Sequence, residues 1–206
     1  MSERLEASGS VLLLFDFLEG HVNRDIESKK RYGPVVANAA ALLAAARKAG
    51  ILVVYANADH MPDGAIAART LRDANNRLQP IAPGDADAHK PLITGGTPEA
   101  RVIAELAPRA EDLIVPKHRW SAFHGTYLET ALRSRGIDTI VLAGGSTDVG
   151  IASTAFAARD LDYNLVIASD ACTSPEKDNH DQLMRRVFPR MARIRTAREI
   201  AAMLGK

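Results

Sequence analysis

Apolar residues along the chain fall into two kinds of run. Short runs at 11–15, 51–56, 113–115, 139–143, 165–168 and 192–195 read as strands, with 11–15 an apolar run of the kind buried on both faces. Longer stretches between them carry the helical period. In 34–50, Val35, Val36, Ala39, Leu42, Leu43 and Ala46 recur at i, i+3, i+4 and i+7, with Gly50 as a C-terminal cap. Helices are likewise expected from about 147 to 160, over 175–187 and over 196–204. Another holds Leu128 and Leu132, ends at Gly136 and starts from a capping box of Thr126 and Glu129. The stretch 17–33, with its charged run 24–31, reads as a solvated loop or helix start. Residues 65–76 are expected to be helical, 80–98 a long loop that forms a lid or subunit contact, and 98–106 a further helix. Strands alternating with helices predict an α/β fold: one domain over 1–206, three α-β-α layers and a six-stranded, mostly parallel Rossmann-like sheet.

Composition narrows the function. The chain has 206 residues, a formal net charge of +1, 47% hydrophobic and 25% charged residues, so nothing favours nucleic acid or an acidic membrane. Cys172 is the single cysteine, which excludes an intrachain disulfide and a cysteine-cluster metal site. No apolar run approaches the roughly 20 residues of a membrane span, and the first residues lack a signal-peptide pattern. The expectation is a cytoplasmic protein acting on a small molecule, with no metal and no cofactor.

In a parallel sheet all carboxyl ends share one edge, where ligands bind. Asp16 closes the first strand and Lys117 follows the third. The fourth strand runs through Gly144 and Gly145 into a helix expected to begin with Thr147 or Asp148 as its N-cap. These three features, about a hundred residues apart, can therefore meet. An Asp beside an ammonium and a helix N-terminus can exchange protons while backbone N–H groups hold developing negative charge. A plain structural ion pair is the alternative. Asp59 and His60 lie at the second strand's end, but adjacent residues rarely face one ion. His21 reads as a loop histidine, and Tyr55 and Phe156 as core.

Four segments together resemble the isochorismatase-like hydrolase superfamily: Leu12-Leu-Leu-Phe-Asp16, Val115-Pro-Lys-His-Arg-Trp-Ser-Ala-Phe-His-Gly-Thr126, Gly144-Gly-Ser-Thr-Asp-Val-Gly-Ile151 and Ser169-Asp-Ala-Cys172. The resemblance implies a six-stranded parallel sheet in a homo-oligomer, a dimer or tetramer. It also implies a cis peptide near Gly145-Ser146. Many members hydrolyse C–N bonds with an Asp–Lys–Cys triad, whose Asp and Lys fall on Asp16 and Lys117. The cysteine position is Gly150, which has no nucleophile. Cys172 follows the next strand and reads as a small buried thiol. Leu18 is a second departure, where many relatives carry Gln.

A branch without the cysteine includes the isochorismatases, in which the aspartate protonates a vinyl ether and water completes the cleavage. The resemblance thus implies Asp16 as acid or base and Lys117 as its partner and carboxylate ligand. Gly145, Ser146 and the N–H groups of Gly150 and Ile151 would form an anion-binding corner. Trp120 and Phe123 would wall the pocket, and Arg119 and His124 would bind a carboxylate. Core packing is the competing role for the two aromatics, and a solvent-facing one for Arg119 and His124. Water-driven C–N hydrolysis and a non-catalytic binding protein are the rival functions.

Overall fold

The computed structural model describes residues 4–63, 92–205 and the backbone of 72–74 and 77–79. Six strands form one parallel sheet: β1 (Ser10–Phe15), β2 (Leu52–Ala58), β5 (Leu113–Lys117), β6 (Thr139–Gly145), β7 (Asn164–Thr173) and β8 (Arg193–Arg195). Their spatial order is β5-β2-β1-β6-β7-β8, and all five pairings are parallel, the six-stranded parallel sheet that the α/β reading predicts. Every residue of β1 is buried. Its side chains alternate, so Leu12 and Leu14 enter one core layer while Val11, Leu13 and Phe15 enter the other.

After the short α1 (Glu19–Val22), α2 (Ile26–Ala49) lies on the first face, joined by the C-terminal α6 (Ala197–Leu204). The second face is covered by α3 (Leu128–Arg133), α4 (Ala152–Asp160) and the segment that follows α5 (Lys177–Gln182). Most of the charged run at 24–31 lies in the first turns of α2. Asp25 caps the helix by accepting the Ser28 N–H at 2.7 Å, and Gly50 closes it in the left-handed conformation, φ 72°. No helix among the described residues is long and apolar enough to cross a membrane.

Several expectations change. Residues 72–74 are not helical: β3 (Arg72–Ala74) pairs antiparallel with β4 (Arg77–Gln79), while 64–71 and 80–91 lie outside the described residues. The helical pattern at 98–106 resolves into two short 3₁₀ turns, Pro98–Ala100 and Ala104–Leu106, which bury Leu106 but are too brief for an α-helix. No capping box forms at Thr126. Its hydroxyl donates to the Ala122 carbonyl at 2.6 Å and accepts the Leu128 N–H at 3.2 Å, so it serves the loop before α3. The reciprocal box is instead at Thr196 and Glu199, at the start of α6. Phe156 stands 49% exposed on α4 and is not core, whereas Tyr55 is buried with its hydroxyl on the Leu106 carbonyl at 2.8 Å.

β7 has 10 residues, more than twice the length expected. Its ladder with β6 slips between Leu142 and Gly144, so that Gly144 and Gly145 pair with Cys172 and Thr173. Gly144 has φ 138°, and a Cβ there would lie 2.8 Å from the Phe15 carbonyl carbon and closer still to its oxygen. Strain and overpacking therefore act together. Gly144→Ala is expected to cost about 3 kcal/mol or more by urea unfolding, and an unchanged midpoint would contradict this account.

Candidate active site

The register of the sheet assembles the site. Phe15 lies level with Ala56 on one side and Gly144 on the other, and Ala58 lies level with Lys117. Asp16, one residue beyond β1, turns out of the strand at φ 53° with its N–H on the Ala56 carbonyl at 3.1 Å. Both carboxylate oxygens are engaged. Oδ1 accepts the Ala58 N–H at 2.7 Å and Oδ2 accepts the Lys117 ammonium at 2.6 Å. Asp16 and Lys117 are 6% and 4% exposed, so this is a buried, charge-assisted hydrogen bond between residues far apart in sequence. The Lys117 ammonium also sits 4.3 Å from the centroid of the Phe15 ring, a cation–π contact.

The glycine turn faces the same edge. The Gly145–Ser146 peptide bond is cis, as expected. A single π-helical turn, Thr147–Ile151, then leads into α4. Neither Thr147 nor Asp148 is the N-cap; that position falls to Ser146, without a side-chain cap. Asp148 instead collects hydrogen bonds from Ser146, from Ser174 at 2.6 Å and from Asn179 at 2.8 Å. Burial pushes its pKa up, but these donors outweigh burial and hold it below the ordinary value. The Ile151 N–H donates to the Ser146 carbonyl at 3.1 Å. One donor of the expected anion-binding corner is therefore already spent within the turn.

Gly150 is fully enclosed. A Cβ added there would lie 2.5 Å from Cζ of the Phe15 ring and closer still to Cε1. Cys172 lies away from this corner's chemistry as an inert thiol. It is buried, touches the Leu142 carbonyl at 3.9 Å, and burial drives its pKa up to about 12, as an inert thiol requires.

The remaining expected site residues divide. Trp120 is 69% exposed, and Arg119 and His124 are also exposed, with an Arg119 guanidinium nitrogen on the His118 carbonyl at 2.7 Å. Phe123 is buried in the core beside Tyr163, ring centroids 5.7 Å apart, the packing role weighed against a pocket wall.

Other polar groups gather near the pair. His60 and His118 meet edge to face at 6.2 Å. His21 Nε2, His60 Nδ1, His118 Nδ1 and Asn57 Oδ1 are buried without a hydrogen-bond partner among the described residues. Burial lowers the His21 pKa, the Asp16 charge opposes it, and Lys117 and Arg24 lower it further. Burial also lowers His60, aided by Lys117 and His118. Asn57 and His118 follow from strand-end position alone: one precedes Ala58 and the other follows Lys117. Phe15 carried no such signal, because an aromatic inside a buried run reads as core.

Comparison with known proteins places the fold. The isochorismatase domain family matches residues 10–199. An uncharacterized isochorismatase family protein of Escherichia coli, YecD, is 47% identical over 97 residues, a match covering 47% of this chain and 52% of that protein. The ureidoacrylate amidohydrolase RutB of Variovorax paradoxus is 33% identical over 180 residues, covering 81% of this chain and 69% of the relative. An isochorismatase family protein of Burkholderia thailandensis superposes with TM-score 0.81 at 30% identity, covering 98% of each chain.

Two predictions follow from the pair and its neighbours. Asp16→Asn and Lys117→Met are each expected to cost about 3–5 kcal/mol, because each leaves a buried charge uncompensated. The double variant is expected to lose less than the sum in a double-mutant cycle by urea unfolding, and simple additivity would deny the coupling. The second concerns His21, whose pKa is lowered in the fold from 6.5. Its stability contribution is complete above the unfolded value and is lost as pH falls below it toward the folded value. Melting is therefore expected to be lower at about pH 5 than at about pH 7.5, with a smaller drop in His21→Leu; an equal drop would exclude His21 as a source.

Proposed function

This chain belongs to the isochorismatase family, and we propose that it hydrolyses a small carboxylate-bearing metabolite without an enzyme nucleophile, using the Asp16–Lys117 pair to move the proton. The observation that carries this reading is the corner at Gly150, which has no side chain and no room for one beside Phe15. A reaction at this site must then take its nucleophile from water.

A vinyl ether of the isochorismate type is the nearest model. Asp16 in its protonated form delivers a proton to the terminal enol carbon, and the 2.6 Å hydrogen bond from the Lys117 ammonium steadies the carboxylate this leaves. Protonation leaves an oxocarbenium carbon between the ether oxygen and the substrate carboxylate. Water adds to that carbon and loses a proton to Asp16. The resulting hemiketal breaks its C–O bond to give pyruvate and the free alcohol. The Lys117 ammonium offsets the negative charge of the substrate carboxylate throughout.

A second reading is C–N hydrolysis by water that Asp16 activates directly. The likeness to a ureidoacrylate amidohydrolase favours it. There, water attacks the carbonyl carbon, Lys117 stabilises the oxyanion, and the amine leaves with the proton that Asp16 took from water.

One assay separates the readings. Purified protein is incubated with isochorismate while pyruvate is followed, and with ureidoacrylate while ammonia is followed, each beside Asp16→Asn at a temperature where that variant is folded. Pyruvate release that falls at least about a hundredfold in the variant supports vinyl-ether cleavage. Ammonia release with the same dependence supports the second reading. Turnover of neither, with a melting temperature raised by the substrate, identifies a binding protein and overturns both.

A further inference from the structure

Phe15 lies at the meeting point of three features that the proton chemistry alone does not explain. Its ring is 1% exposed and covers the Lys117 ammonium at 4.3 Å. The same ring fills the space over Gly150: a Cβ there would lie 2.5 Å from Cζ and 3.2 Å from Cδ1. Its backbone also meets Gly144, where a Cβ would lie 2.8 Å from the Phe15 carbonyl carbon. The ring is rigid, belongs to the strand that positions Asp16, and packs in a core where one extra methyl is felt. A flexible side chain could swing away from an added atom, but a buried phenyl between Lys117 and the π-helical turn before α4 has no free direction.

We infer that Phe15 sets the class of reaction available here: its ring takes the volume that any side chain at position 150 would need and so excludes an enzyme-borne nucleophile from the corner beside Lys117. Phe15 and Gly150 are on this account a matched pair, large against none. The apolar face of the ring, in place of a thiol, is what the Lys117 ammonium meets in that corner. Changing Gly150 alone therefore cannot supply a working nucleophile. The inference rests on the reading of Asp16–Lys117 as the reactive pair, but its test needs no turnover.

Four proteins decide it: wild type, Phe15→Val, Gly150→Cys, and the double variant. Gly150→Cys alone is expected to melt about 5 °C or more below wild type, because the ring cannot move aside. Phe15→Val alone also melts lower, since it opens a cavity. The double variant is expected to melt above the Gly150→Cys single variant, as the two volume changes offset each other. Should the cysteine variants not fold, Gly150→Ala with and without Phe15→Val gives the same comparison with a smaller group. In the double variant, the pH of half-maximal alkylation by iodoacetamide is expected below the roughly 8.5 of an ordinary thiol, and to return toward it on adding Lys117→Met. The buried wild-type Cys172 supplies the background rate. The inference is overturned if Gly150→Cys melts with wild type, if the double variant is no more stable than that single variant, or if its alkylation pH ignores Lys117. A protein that turns over no substrate can still pass, so failure of the proposed reaction and failure of this inference remain distinct.

Discussion

The buried ion pair between Asp16 and Lys117 is the constraint on which the rest of the site depends. Two opposite charges, both nearly free of solvent, are tolerated only if each meets its partner at close range. That condition fixes the register of three strands. β1 brings Asp16, β5 brings Lys117, and β2 lies between them, supplying the Ala58 N–H that satisfies the second carboxylate oxygen. A slip of one residue in either ladder would turn the lysine to the other face of the sheet and strand the carboxylate. The parallel sheet is therefore the device that holds one short hydrogen bond across a hundred residues of chain.

Beside the pair, the shape of the glycine turn is dictated by what it touches. The β1 backbone at Phe15 forbids a side chain at Gly144, the Tyr32 hydroxyl and the Thr173 carbonyl crowd Gly145, and the Phe15 ring closes Gly150. The turn is held from the other side by Asp148, whose three donors come from the turn, the end of β7 and α5. A hydrogen bond of 2.9 Å between Thr147 and His180 adds a second tie to α5. The segment is glycine-rich because of close approach, and it stays ordered because its one carboxylate gathers neighbouring polar groups.

Much of this was legible in the sequence. The central strands of the sheet appear as apolar runs because both faces of a central parallel strand are buried, as the zero exposure of Val11, Leu13 and Leu14 shows. Gly50 could be placed as a cap, and Asp16 and Lys117 could be placed on one edge, because topology fixes which ends of strands meet. What failed depends on tertiary contacts that no local pattern encodes. Thr126 and Glu129 have the spacing of a capping box, but the loop before α3 turns the hydroxyl back to Ala122. Phe156 has the hydrophobicity of core on a face of α4 that looks outward. The π-helical turn follows a strand whose ladder had already slipped, and a period of 3.6 residues cannot announce it. Phe15 was hidden for the opposite reason: it fits its local pattern perfectly while also serving the site.

The backbone of Asp16 has a consequence for how this locus can drift. At φ 53° it occupies a conformation that Asp, Asn, His and Gly adopt far more readily than other residues. Single-base changes to an aspartate codon lead to Asn, His and Gly, which accept that backbone and discard the carboxylate. They also lead to Glu, which keeps the carboxylate but neither the backbone preference nor the reach. Charge and conformation are thus tied to one amino acid, and every one-step genetic route away from it surrenders one or the other.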